Sequence, residues 1–304
     1  MKSFTRLQTF ACILLAALCV QHSLAASESS DLARSLNKLG YEQVELRRTD
    51  ENRLFLFARI NGRKRSCLVD SGWSFTTIST NTAARLTSSN LIDRLELGSA
   101  AFTSQPVITQ DIRINGQPAS FDVVLGCDFL LAHHAILDCA NRRLYLRRIA
   151  PTLDETTARE KAFADSSRVS AQMKLRNPPA VTVVAQLNGQ DTELLVDSGA
   201  MWSCLDTKVA RDFNLRLTPT PNQISGTVTA DKKNFLVTTV RELTVAERKI
   251  KDVNLAVLSL EAWGFGPDGK LFNDVSGILG GAELIANGAV LDFSSKKMWL
   301  RSGR

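Results

Sequence analysis

Leu68-Val69-Asp70-Ser71-Gly72 and Leu195-Val196-Asp197-Ser198-Gly199 are the same five residues written twice, 127 positions apart. A single Asp-Ser-Gly is what a turn at the end of a strand requires and carries little information. Here the flanks recur as well. At the same offset Phe57-Ala58-Arg59-Ile60-Asn61-Gly62 falls on Val184-Ala185-Gln186-Leu187-Asn188-Gly189. At an offset of 148, Leu95, Phe102 and Val107 meet Leu243, Ile250 and Leu255. At 154, Leu125-Gly126 meets Leu279-Gly280, and Ile136-Leu137-Asp138 meets Val290-Leu291-Asp292. Ordered blocks separated by insertions of 21 and 6 residues describe a domain present in two copies.

Each copy reads as mainly β. Arg53 to Ile60 and Val181 to Leu187 are rich in branched and aromatic residues and end in Asn-Gly, a hairpin signal. Short helices are expected over 81–86 and 206–213, the second capped by Asp206. Leu32, Leu36 and Leu39 share one face of a small helix expected over 31–40. The spacing divides the chain into a first lobe over 51–149, a polar linker over 150–170 and a second lobe over 171–304. Residues 26–50 form an N-terminal extension, either a propeptide or the first structural element.

Composition narrows the chemistry. The 304 residues are 44% hydrophobic and 22% charged, which excludes a disordered or low-complexity chain. Only His22, His133 and His134 occur, which argues against His-dependent catalysis. The net charge of +6 is spread out and forms no basic stripe, so no nucleic-acid partner is expected. Lys2 and Arg6 precede an apolar run from Ala11 to Val20 and the small-residue site Ser23-Leu24-Ala25. This is a signal-peptide pattern with cleavage expected after Ala25, and the run is too short to span a membrane. A secreted or periplasmic protein, with no membrane attachment once the signal is removed, is the expectation. Cys67, Cys127, Cys139 and Cys204 would then face an oxidising compartment, as buried thiols or with bridging. No C-x-x-C or i, i+4 histidine pair occurs, so neither a metal nor another cofactor is expected.

With both Asp-Ser-Gly loops and their flanks in view, the chain resembles the aspartic proteases of the pepsin and retropepsin clan. Its short copies are closer to retropepsin-like domains than to the larger pepsin lobes. Val124-Leu125-Gly126 and Ile278-Leu279-Gly280 match the apolar-apolar-Gly element that packs beneath each catalytic loop. The resemblance implies two tandem β-barrel lobes forming a pseudo-dimer, with one active site between them. It implies Asp70 and Asp197 as a dyad that activates a water against a peptide carbonyl. Ser71 and Ser198, followed by Gly72 and Gly199, would lock the two loops together. Peptides or proteins are the implied substrates, and a monomer with an intramolecular dyad is favoured over a homodimer.

Two features depart from the family pattern. Trp73 follows the first Asp-Ser-Gly, where the family usually has a small residue, and neither it nor Ala200 carries a hydroxyl. Fewer donors to the ionised carboxylates imply a mildly acidic optimum. The 21-residue insertion in copy two holds Gln223 to Thr229 and Asn234 to Val240 around a polar turn, a hairpin expected to serve as a flap. Trp73, Phe75, Trp202, Ser225, Gly226 and Thr227 are the candidate substrate-contacting residues. The competing reading is an inactive double barrel that binds peptides or partner proteins.

Overall fold

A computed structural model describes residues 31–86, 90–114, 117–118, 120–224, 233–260 and 275–303 of the chain. The expected signal segment 1–25 and the flap-tip residues Ser225, Gly226 and Thr227 lie outside the described residues.

The chain is mainly β, in two barrel-like lobes. In the first, the hairpin Leu54–Ile60 and Arg63–Val69 pairs through Asn61-Gly62, both residues at positive φ. Its burial alternates along Leu54–Ile60, with Leu54, Leu56, Ala58 and Ile60 inward, the period-two pattern of a half-buried strand. The second lobe repeats this hairpin in the strands Ala180–Leu187 and Gln190–Asp197. There Thr182 pairs with Leu195 as Phe55 pairs with Leu68, the same register displaced by 127. The second lobe closes on itself, because Ala185–Leu187 also pairs with Leu243–Val245 of the long strand Lys233–Val245. Among the described residues the corresponding circuit of the first lobe is interrupted at Val107, between Ala100–Pro106 and Ile108–Thr109.

A six-stranded layer joins the lobes. Glu42–Glu45, Arg143–Leu146 and Ile136–Asp138 come from the first half of the chain. Val290–Asp292, Lys297–Arg301 and the start of Arg168–Arg176 come from the second. The halves meet where Ile136–Asp138 pairs antiparallel with Val290–Asp292, with Leu137 opposite Leu291. One face of this layer, including Leu137, Leu144, Leu291, Met298 and Leu300, belongs to the main core beneath the two loops. The other face, with Ile136, Tyr145, Val290 and Trp299, is covered by Leu32 and Leu36 of the helix over 31–38 and by Phe163.

Two expectations change here. Residues 150–170 hold not a linker but the 13-residue helix Leu153–Asp165, opened by a Thr152/Glu155 capping box, and the beginning of the strand Arg168–Arg176. This helix buries only Arg159 and Phe163, one turn apart, so it lacks the continuous apolar stripe that marks helices by sequence. The first half starts before residue 51. Both the helix over 31–38 and the strand Glu42–Glu45 belong to the interlobe layer and its cover.

All four cysteines in the described residues are free and buried. Burial pushes the Cys67 and Cys127 thiols up to about 12 and raises Cys139 and Cys204 as well. Since the thiolate is the reactive form, iodoacetamide at pH 8 should label none of the four in the native protein and all four after unfolding. Native-state labelling, read by mass spectrometry, would show that the lobes open.

Candidate active site

Asp70 follows the strand Arg63–Val69 directly and Asp197 ends Gln190–Asp197, so each carboxylate leaves the sheet where the chain turns. A strand laid parallel beside each one fixes the turn. Val123–Leu125 runs along Cys67–Val69, and the Asp70 amide donates to the Leu125 carbonyl at 3.0 Å. Gly277–Gly280 runs along Leu194–Asp197 in the same way, with Gly280 beside Asp197. Gly126 and Gly280 are required by close approach, since a Cβ on Gly126 would lie 2.8 Å from the Trp73 carbonyl oxygen. A Cβ on Gly280 would overlap the Trp202 carbonyl.

The two loops bind their own aspartates identically. Gly72 and Trp73 amides donate to Asp70 Oδ1 at 2.9 and 3.1 Å, and Gly199 and Ala200 amides to Asp197 Oδ1 at 2.9 and 2.8 Å. Trp73 therefore does not distort its loop. Only its amide serves the carboxylate, while its indole donates to Thr77 Oγ1 at 2.8 Å and packs against the cluster of Leu68, Phe121 and Val124.

Ser71 and Ser198 tie the loops together. Ser71 Oγ donates to the Val196 carbonyl at 2.7 Å and accepts from the Ser198 amide at 2.9 Å. Ser198 Oγ donates to the Val69 carbonyl at 2.9 Å and accepts from the Ser71 amide at 3.0 Å. Both hydroxyls are fully buried, so all four groups are satisfied without water. The clamp presses each glycine onto the opposite carboxylate. A Cβ on Gly72 would overlap the Asp197 carboxyl group, and one on Gly199 would overlap that of Asp70.

Two carboxylates are thus brought together in a space 6–7% exposed. Burial raises Asp70 well above the ordinary carboxylate range, and the charge and hydrogen bond of Asp197 raise it further. Asp197 is raised by burial too, but the hydrogen bond from Asp70, the loop amides and Arg53 oppose the rise. Like charges this close do not both ionise near neutrality, so the pair holds one proton. One carboxylate can then accept a proton while its partner donates one.

Several supporting residues escape a reading of the sequence. Thr76 Oγ1 accepts from the Gly126 amide and donates to Asp128 Oδ1 at 2.8 Å. Ser203 Oγ accepts from the Gly280 amide at 2.9 Å and donates to Glu283. Thr76 and Ser203 obey the 127 offset, but Asp128 and Glu283 stand 155 apart and so miss the 154 alignment by one. Arg53, 8% exposed, donates from Nε to the Gly199 carbonyl at 3.0 Å.

Phe75 and Trp202 are partly exposed beyond the two loops, and the Trp202 ring lies 6.1 Å from that of Phe235 in Lys233–Val245. That strand pairs with Thr218–Ile224, so the base of the expected hairpin is present and reaches a residue five positions past Asp197. His133 lies between Phe102 and Phe129, with Nε2 3.0 Å from Gln105 Oε1, and burial lowers it to about 4. It is a neutral packing residue. Among the described residues no group of three or more His, Cys, Asp and Glu side chains could hold a metal ion.

Residues 183–264 match the family described as gag-polyprotein putative aspartyl protease. The structure is similar to an aspartic proteinase from Irpex lacteus, with a TM-score of 0.50 and 13% identity, over 86% of this chain and 97% of that one. A retropepsin-like aspartic protease from Rickettsia conorii also aligns, with a TM-score of 0.30 and 16% identity, over 44% of this chain and 90% of that one. No curated protein sequence matches the chain at a significant level. The two lobes, the paired loops and the similarity to the Irpex lacteus proteinase together show that the chain has the two-lobed pepsin-like aspartic protease fold.

Proposed function

We propose that the chain is an aspartic endopeptidase whose two lobes each contribute one carboxylate to a single site. The observation that carries this reading is the Ser71/Ser198 clamp, which holds Asp70 and Asp197 face to face under burial. In the forward step the ionised carboxylate takes a proton from a water lodged between the pair. The water oxygen attacks the peptide carbonyl carbon, and the protonated partner gives its proton to the carbonyl oxygen. The resulting tetrahedral diol collapses as the C–N bond breaks. Its nitrogen takes a proton from one carboxyl and leaves as an amine, while a diol hydroxyl gives its proton to the other carboxylate as the carbonyl re-forms, so the dyad again holds one proton.

Only the singly protonated dyad runs this cycle, so activity needs a pH above its first ionisation and below its second. Burial raises both steps and mutual repulsion raises the second, whereas two amides on each Oδ1 restrain the rise. The expected kcat/KM profile is a bell centred in mildly acidic solution. A maximum near pH 2 would contradict it.

The signal-peptide pattern supports export with cleavage after Ala25, which N-terminal sequencing of the protein recovered outside the cytoplasm tests directly. The shared register of the two hairpins supports an origin by duplication and an intramolecular dyad. Cleavage of a peptide library across pH 3–7 tests the activity. Binding of library peptides without cleavage at any of these pH values would replace the endopeptidase with a peptide-binding protein.

A further inference from the structure

The dyad is nearly symmetric in its hydrogen bonds but not in its charges. Thr49 to Arg53 form a turn, closed by the Thr49 amide on the Arg53 carbonyl at 3.0 Å and by the Arg53 amide on Thr49 Oγ1 at 3.2 Å. This turn belongs to the first lobe yet rests on the second. The Asn52 carbonyl sits where a Cβ on Gly281 would come within 2.7 Å of it, and Arg53 Nε binds the Gly199 carbonyl.

The hairpin register assigns Arg53 a counterpart. Phe55 opposite Leu68 corresponds to Thr182 opposite Leu195, so Arg53 corresponds to Ala180. Ala180 is buried and carries no charge. The site therefore receives one guanidinium where a symmetric pair would supply two or none. The charged and titratable groups around Arg53 are Asp70, Asp197 and its ion-pair partner Glu51. Cys127 and Cys204 flank the aspartates as neutral thiols.

We propose that Arg53 is a positioning residue of the dyad: its buried charge, supplied by one lobe only, moves the pH range over which the carboxyl pair holds a single proton toward acid. The sign follows from electrostatics. A fixed positive charge favours every ionised state of the pair, so it lowers both the first and the second ionisation. Burial pulls the guanidinium down from its usual range, whereas both carboxylates hold it up, and Arg53 in turn lowers Asp197. A guanidinium stays charged under these opposing effects, whereas a lysine is easier to neutralise on burial. Glu51 offsets part of the field, and being partly exposed it offsets less than a buried carboxylate would.

The inference rests on Asp70 and Asp197 forming the dyad, and its test has one readout that needs no turnover. Protein carrying 13C-carboxyl aspartate is titrated by NMR, with D70N and D197N assigning the dyad signals, alongside the pH profile of kcat/KM. In R53M both ionisations and both limbs of the profile should move to higher pH by about one unit or more. R53K should restore at least half of that shift, and E51Q should move both ionisations toward acid. Limbs that stay in place in a folded R53M, with activity reduced equally at every pH, would make Arg53 merely structural and overturn the proposal. If R53M does not fold, E51Q decides: an acid shift supports the proposal, and no shift or an alkaline one overturns it. If the wild type cuts no peptide, the endopeptidase reading fails while the NMR titration still reads the effect of Arg53.

Discussion

Replacing either Asp70 or Asp197 by Asn should lower kcat/KM by about 10²–10⁴-fold or more, while the fold is retained. Asn keeps the carbonyl oxygen that accepts the two loop amides, so neither loop loses its hydrogen bonds. What it removes is the exchangeable proton, and each residue is indispensable because base and acid are different members of one pair. The same substitution has a stability signature. Asp70 keeps its proton to higher pH in the folded chain than in the unfolded one. The stability this supplies is complete below the unfolded value of about 4 and is lost as pH rises through the folded value. An amide has no proton to lose, so D70N should melt at or above the wild-type temperature at pH 7 while being inactive. A D70N protein that melts far lower would mean that the aspartate is a structural anchor.

The largest effect on stability is expected far from the loops, at Arg159. Its guanidinium is fully buried, with Nε 2.8 Å from Asp292 Oδ2 and Nη1 2.7 Å from the Tyr41 hydroxyl. Asp292 in turn accepts from the Ser294 and Ser295 amides and the Ser295 hydroxyl in the turn after Val290–Asp292. These bonds fasten the helix Leu153–Asp165 to the centre of the interlobe layer. Removing one partner of a buried pair leaves the other charged and dry, which typically costs about 3–5 kcal/mol. R159M should be destabilised by that amount in urea, and R159M/D292N should recover part of it because the stranded charge is gone. Equal destabilisation of the single and double variants would assign the loss to packing rather than charge. The register of Ile136–Asp138 on Val290–Asp292 holds the lobes in place, so R159M should also lose activity.

These two sites mark how far the sequence could be read. The loops were legible because glycine, aspartate and a small hydroxyl are each forced by a contact the other lobe makes, so neither copy could drift. Ser71 at Ser198 and Gly72 at the Asp197 carboxylate are such contacts. The helix 153–165 was not legible as structure, because the residue that docks it is an arginine. Hydrophobic periodicity scores Arg159 as surface, so the helix shows no apolar stripe in the sequence. Arg53 was hidden for a related reason. Its counterpart is Ala180, so no motif shared by the two copies includes it. Asp128 and Glu283 do the same work on their respective loops, but a one-residue slip between the copies kept them from aligning.

The central claim is that Asp70 and Asp197 of one chain form one site. Peptide cleavage by D70N, by D197N and by their equimolar mixture tests it most directly. An intramolecular dyad predicts that both variants are inactive and that the mixture stays inactive. Activity restored in the mixture would show that the sites form between chains, and activity retained by either variant alone would show that the two carboxylates do not act as a pair.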